Sequence, residues 1–244
     1  QRVLLENTCS AVRVSGEVPH PSCAVAVGAW VSQYSDLCRA YSPAPGPYSG
    51  VASALSVLCG RLSYTFGMRG PSACVDTACS SSLVAAHLAS SYMHNRECTD
   101  AIIAGVSVNV GIGTFRVAAA ASMLSMDGRC KTLDVRADGY AKGECCVVLR
   151  IITDDADGVS SDEDARAQTR APLAYVTQTG VNQDGRSSSL TAPNGPSQQA
   201  LVSDVLVRAG LRGDMVGRLE MHGTGTALGD PIEVGAALEV LGAR

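Results

Sequence analysis

The 244 residues are 46% hydrophobic, 17% charged and 4% aromatic, so the chain carries apolar surface for a core and is not intrinsically disordered. Nineteen Lys and Arg stand against 23 Asp and Glu, a net charge of -4, which offers no basic field for nucleic acid or an anionic membrane surface. No charge-free apolar run reaches the roughly 18 residues that a membrane span needs, which excludes a transmembrane helix.

Residues 2–15 read as a helix stopped near Gly16, and 22–29 as a buried strand. A Pro/Gly-rich loop covers 42–50, and a helix rich in small residues runs from Val51 to about Tyr64. SACVDTACSSSLVAAHLASSYM gives a short strand, a turn and a long helix. AIIAGVSVNV at 101–110 is apolar and β-branched, a buried strand, and 143–153 suggests another. Residues 154–170 carry six acids and a single large apolar residue, Val159, and read as a solvated loop dividing two halves. Beyond it come a strand at 173–179, a helix near 197–209 ending at Gly210, and a strand at 218–222. A last helix runs from Pro231, with Asp230 as its N-cap and Glu233 three residues on. Alternating strands and helices, with strands apolar on both faces, predict a layered α/β protein whose sheet is covered on both sides. The opening at Gln1 and the close at Arg244, inside a helical pattern, are expected to be cuts in a longer chain.

Ten cysteines fall at 9, 23, 38, 59, 74, 79, 98, 130, 145 and 146, and none forms a Cys-x-x-Cys pair. Most lie in apolar runs, so they are expected to be buried free thiols of a reducing compartment, with at most one reactive. Their spacing and the presence of only four His disfavour structural zinc.

One cysteine is placed differently. In Val75-Asp76-Thr77-Ala78-Cys79-Ser80-Ser81-Ser82, Cys79 sits where a strand hands over to a helix. The unpaired N–H groups of a helix start, with the helix dipole, favour negative charge there by about 0.3–1 kcal/mol. Small neighbours leave room for a substrate. On position alone Cys79 reads either as a nucleophile or as a further core thiol. A second segment, Glu220-Met221-His222-Gly223-Thr224-Gly225-Thr226, ends a short apolar strand in an imidazole followed by two glycines. His222 could stabilise an oxyanion, move a proton, or be structural. Gly223, Gly225 and Gly229 loosely resemble a dinucleotide fingerprint, but a carboxylate, Asp230, occupies the helix start where a pyrophosphate would sit. His20, His87 and His94 suit loop, packing and helix-end roles.

Several stretches together resemble one family: QRVLLE (1–6), SALSVLCGRLSYTFGMRGPS (53–72), VDTACSSSLVA (75–85), MLSMDGRCKTLDVRADGYAKGE (123–144), GVNQDGRSSSLTAPNGPSQQALV (180–202) and EMHGTGTALGDPIEV (220–234). The chain resembles the ketosynthase (β-ketoacyl synthase) domain of type I polyketide synthases, a relative of the condensing enzymes of fatty-acid synthesis.

The resemblance implies an α/β, thiolase-like fold of five α-β-α-β-α layers built from two similar halves, the C-terminal half truncated. The halves would be 1–153 and 172–244, joined by the acidic loop at 154–171. Cys79 matches the acyl-accepting nucleophile and His222 the first of two histidines of the decarboxylative step. The Cys79 amide would serve an oxyanion, and Thr224 and Thr226 would line a pantetheine tunnel. Glu144 matches an active-site-adjacent position, although the family's Gly-Glu-Gly reads Gly143-Glu144-Cys145 here, where a Cβ is expected to strain the turn.

No tightly bound cofactor is implied. Both substrates would arrive on the phosphopantetheine of an acyl carrier protein, and a homodimer would form through strand 101–110. The implied location is intracellular, cytoplasmic or in a plastid. The family's second histidine, lysine and Gly-rich loop have no counterpart in these 244 residues, so the piece alone is expected to be inactive. The alternatives are a degenerate ketosynthase-like domain kept for dimerisation or carrier docking and, more remotely, a cysteine hydrolase.

Overall fold

Strand β1 (Ala24–Ala29) is buried at all six positions, and its side chains sort by parity. Val25, Val27 and Ala29 join one core cluster, and Ala24 and Ala26 join another on the opposite face. The same division holds in β3 (Asp100–Ser107), with Ile102 and Ala104 on the first face and Ala101 and Ile103 on the second. The computed structural model describes all residues except 17, 31–32, 42–43, 45, 154–170 and 243–244. The acidic stretch predicted to divide the halves thus lies outside the described residues.

The sheet has the order β2-β1-β3-β4, with β2 (Ser72–Val75) and β4 (Cys145–Ile152) at its edges. β1 runs parallel to both β2 and β3, while β4 is antiparallel to β3. This corrects the expectation that strand 101–110 mediates a dimer. Both edges of β3 are taken by β1 and β4, so its backbone has no ladder groups left for a second copy. The strand also ends at Ser107, short of 110.

On the first face lie α1 (Arg2–Ser15) and α4 (Ser56–Phe66), which bury Leu4, Leu58 and Leu62 against Val25, Val27 and Ile102. As predicted, α1 stops at Gly16, which is left-handed at φ 77. The helix predicted over 51–64 is instead two, α3 (Ser49–Ser53) and α4, because Ala54 turns extended. The Gln1 side-chain amide donates to Val51 O and Ala52 O, covering carbonyls freed at the break. A further helix, α2 (Gln33–Tyr41), carries no counterpart in the sequence reading.

On the second face lies α5 (Ser81–His94), seated on the small residues Ala24, Ala26 and Ala101 through its own Ala85 and Ala89. The expected two-sided cover stops short of β4, whose Val147 and Leu149 remain exposed among the described residues. At the base of the sheet, Asp100 and Arg150 form a buried ion pair at 3.1 Å.

The chain divides into two compact units, one of residues 1–111 and 143–175, the other of 112–142 and 176–244. The sheet and α1 to α5 belong to the first. The second contains α6 (Gly113–Ala120), α7 (Gly195–Ala209) and α8 (Gly229–Leu241), with α7 packed on α8. Asn194 caps α7 by accepting from the Ser197 amide. The strands predicted at 173–179 and 218–222 do not form. Neither segment finds a ladder partner among the described residues, and an apolar run without one is not a strand. No helix among the described residues is long and apolar enough to cross a membrane.

Candidate active site

Two separate arrangements hold the candidate residues Cys79 and His222, one in each unit. In the first unit β2 ends at Val75, and a 3-10 turn over Ala78–Ser80 leads into α5. Cys79 is the middle residue of that turn and is exposed. It therefore lies within the first turn of the helical segment rather than before it. Ala78 stands at φ 56, in the left-handed region, which costs a non-glycine residue about 1 kcal/mol or more.

The surroundings hold that turn. Asp76 Oδ1 accepts the Ala78 amide proton at 3.0 Å. Ser81 Oγ accepts from Thr77 N at 2.9 Å and donates to Ala78 O at 2.7 Å. Beneath, the helix start rests closely on two glycines of the sheet. A Cβ at Gly28 would fall 2.4 Å from the Ser81 carbonyl carbon, and one at Gly105 would fall 2.8 Å from Ser82 Cβ. The two glycines thus let Ser81 and Ser82, which follow the Cys79 turn, approach the sheet closely.

In the second unit His222 is held by its backbone and its side chain is exposed. Glu233 Oε1 accepts the His222 amide proton at 2.6 Å, and Oε2 accepts that of Gly223 at 2.9 Å. Asp230 is buried. Its Oδ1 accepts from Gly225 N and Thr226 N, and its Oδ2 from Leu133 N.

This corrects the reading of the last helix. Asp230 and Glu233 do not form a cap and capping box. The helix begins at Gly229, whose amide donates to Thr226 Oγ1, and the two carboxylates reach back to brace the His222 loop. Sequence reasoning missed that role because spacing from a helix start looks the same whether a carboxylate turns toward its own helix or away. The Gly225 and Thr226 amides that a phosphate would need are already bound to Asp230, which weighs further against a dinucleotide site.

Thr224 and Thr226 share the His222 loop, and both are partly buried. Glu144 belongs to the first unit, where its Oε1 accepts from Asn109 N at 2.7 Å just past the end of β3. Asn109 Nδ2 donates to Gly143 O, and Gln33 Oε1 accepts from Gly111 N. Glu144 thereby fastens the start of β4 to the end of β3. Cys145 opens β4 and is not among the residues of positive φ, so its Cβ strains nothing there.

The ten thiols divide more evenly than expected. Cys23, Cys59 and Cys98 are buried, four are intermediate, and Cys79, Cys130 and Cys145 are exposed. Burial, reinforced by Asp100, pushes Cys23 up to about 12, and burial with Cys59 and Asp76 nearby takes Cys74 to about 11. Among the described residues no group of three or more His, Cys, Asp or Glu is placed to hold a metal ion.

The sequence pattern of "Beta-ketoacyl synthase, N-terminal domain" matches residues 1–156, and that of the C-terminal domain matches 173–244. The chain belongs to the beta-ketoacyl synthase family. Erythronolide synthase EryA2 of Saccharopolyspora erythraea is 39% identical over 99% of this chain. Polyketide synthase GfsE of Streptomyces halstedii is 40% identical over the same share. The chain spans only 7% and 6% of the lengths of these curated relatives.

Among solved structures, the oxazolomycin ketosynthase domain OzmH KS7 of Streptomyces albus JA3453 superposes with a TM-score of 0.86 at 30% identity. That match covers 99% of this chain and 42% of that one. The ketosynthase from module 6 of the bacillaene synthase of Bacillus subtilis 168 gives 0.80 at 30% identity, over 98% and 40%. The fold is therefore the thiolase-like one of the ketosynthases, of which these residues make up part.

Proposed function

We propose that this chain is the nucleophile- and first-histidine-bearing part of a polyketide-synthase ketosynthase that elongates acyl chains by decarboxylative Claisen condensation. The observation that carries the reading is the Cys79 turn: an exposed thiol after a strained residue, on a helix start seated directly on the sheet through Gly28 and Gly105. Backbone strain is kept at such a place only where the surroundings over-determine it.

Cys79 Sγ attacks the carbonyl of an acyl thioester, and the carrier's thiol departs with the proton, leaving an acyl-Cys79 thioester. A malonyl thioester then loses CO2. The resulting enolate carbon attacks the acyl-Cys79 carbonyl, forming the carbon–carbon bond as the Cys79 thiolate leaves. Negative charge on the enolate oxygen is stabilised by the imidazole of His222, whose loop the Glu233 carboxylate immobilises. Thr224 and Thr226 contact the phosphopantetheine arm of an acyl carrier protein, which delivers both substrates. The division of the chain at the acidic stretch 154–171 and assembly as a homodimer belong to the same reading. Among the described residues the edge strands of the sheet are β2 and β4.

The test uses the complete polypeptide that carries this chain. Incubated with an acyl thioester, it should show one acyl adduct, on Cys79, by peptide mass spectrometry, and Cys79→Ala should abolish it. His222→Ala should leave that adduct intact while suppressing CO2 release from malonyl thioester. An adduct that persists elsewhere in the Cys79→Ala protein sinks the assignment. Free acid appearing faster than the adduct accumulates points to a hydrolase instead.

A further inference from the structure

Glu233 holds the amide side of the His222 loop; a different segment holds its carbonyl side. Thr132 Oγ1 donates a hydrogen bond to the carbonyl oxygen of Gly223, the residue next to His222. Gly223 is left-handed at φ +49, and a Cβ there would lie 2.9 Å from Thr132 Cγ2, so Thr132 packs directly beneath it. Further ties run alongside. Gly139 N donates to Gly225 O at 3.1 Å, and a Cβ at Gly225, itself at φ +75, would fall 2.5 Å from Lys131 N.

The segment that presents Thr132 is anchored on both sides. Lys131 Nζ pairs with Asp138 at 2.7 Å and Asp127 at 3.0 Å. Leu133 stands in the left-handed region at φ 58 and gives its amide proton to Asp230 Oδ2 at 2.9 Å. A branched residue in that region persists only where neighbours impose it. The Thr132 hydroxyl is thus delivered by a stiff strip to one carbonyl, with little freedom to point elsewhere.

We propose that Thr132 is a positioning residue for the decarboxylative step. Its hydroxyl fixes the Gly223 peptide and, through that peptide, the place from which the His222 imidazole meets the developing oxyanion. The assignment rests on the proposed role of His222 and adds a residue outside the His222 motif. It predicts a split between half-reactions. Thr132 and the His222 loop belong to one unit, and the Cys79 turn belongs to the other. Loss of the Thr132 hydroxyl should therefore spare acyl transfer and slow decarboxylation.

The complete polypeptide is compared as wild type, Thr132→Val and Thr132→Ser. Valine keeps the volume and removes the donor; serine keeps the donor. In Thr132→Val, amide hydrogen exchange over 221–226 should quicken, malonyl decarboxylation should fall about tenfold, the scale of one lost hydrogen bond, and acylation of Cys79 should stay within twofold. Thr132→Ser should restore exchange and decarboxylation together.

Exchange is read without substrate, so unchanged exchange in Thr132→Val overturns the proposal whatever the activity. Faster exchange with unaltered decarboxylation also overturns it, as does equal loss of acylation and decarboxylation. A wild-type protein that acylates Cys79 but releases no CO2 overturns the reading of His222 itself, and the proposal with it, before any variant is compared.

Discussion

Glu233 holds His222 by its main chain: Oε1 takes the His222 amide proton at 2.6 Å while the second oxygen takes that of Gly223. A carboxylate gripping two adjacent amides makes two charge-assisted hydrogen bonds, each worth about 1.5–3 kcal/mol. The grip is on the backbone alone, and His222 itself remains exposed.

Replacing Glu233 should act on His222 without touching the thiol. Glu233→Ala in the complete polypeptide is expected to lower malonyl decarboxylation by about 10–100-fold, the equivalent of about 1.4–2.8 kcal/mol out of the two bonds, with Cys79 acylation intact. Glu233→Gln, which keeps one acceptor, should fall between. Radiolabelled CO2 release measures the first step and adduct mass the second; equal effects on both would refute a role confined to His222.

The close seat of α5 predicts opposite outcomes for two glycines. Gly28→Ala forces a methyl to within 2.4 Å of the Ser81 backbone, so α5 must lift and carry Cys79 with it. Overpacking of this kind costs about 1–3 kcal/mol or more, and acylation of Cys79 should be largely lost. Gly60, inside α4, has open space where a Cβ would lie. Gly60→Ala should raise stability by about 0.5–1 kcal/mol through helix propensity, with acylation unchanged. Urea midpoints and adduct yield check both.

The raised thiols set an alkaline limit. Cys23 lies at about 12 and Cys74 at about 11 against an ordinary 9.0, so above pH 9 the folded protein keeps protons that the unfolded chain gives up. Their stabilising effect is whole below pH 9. It is lost progressively from there to about pH 11 for Cys74 and about 12 for Cys23. Unfolding midpoints at pH 8, 9.5 and 11 should fall in that order, and Cys23→Ala should flatten the fall. Alkylation at pH 8 should mark Cys79, Cys130 and Cys145 well before Cys23.

The ion pair of Asp100 with Arg150 should be costly to break singly. Arg150→Met leaves a buried carboxylate whose Oδ2 keeps the His20 amide but loses its counter-charge, and should destabilise by about 3–5 kcal/mol. The double change Asp100→Asn with Arg150→Met should cost less than Arg150→Met alone. An additive double-mutant cycle by urea unfolding would show the pair to be uncoupled.

Cys79 and His222 were legible in the sequence because each stands in a short contiguous motif, and so were α1, β1, β3 and α7, whose periodicity and stop signals are local. Asp230 and Glu233 were visible but misread as a cap, since their partners Leu133, Gly223 and Gly225 lie outside their own helix. Thr132 stood inside a family-matching stretch but without a role, because a threonine acquires its meaning here from a carbonyl 91 residues away.

By itself, then, the order of residues determined the family, the placing of Cys79 at a strand-to-helix junction and the order of most elements, all properties written in local pattern. Only the tertiary structure decided the rest. β3 is an interior strand and cannot extend its ladder into a second copy, because β1 and β4 occupy both its edges. The helix predicted over 51–64 breaks at Ala54, where Gln1, distant in sequence, takes up the freed carbonyls. The His222 loop is braced from two sides by residues that approach it only through folding. Hydrogen-bond partners distant in sequence are chosen by packing, and no window along the chain contains them.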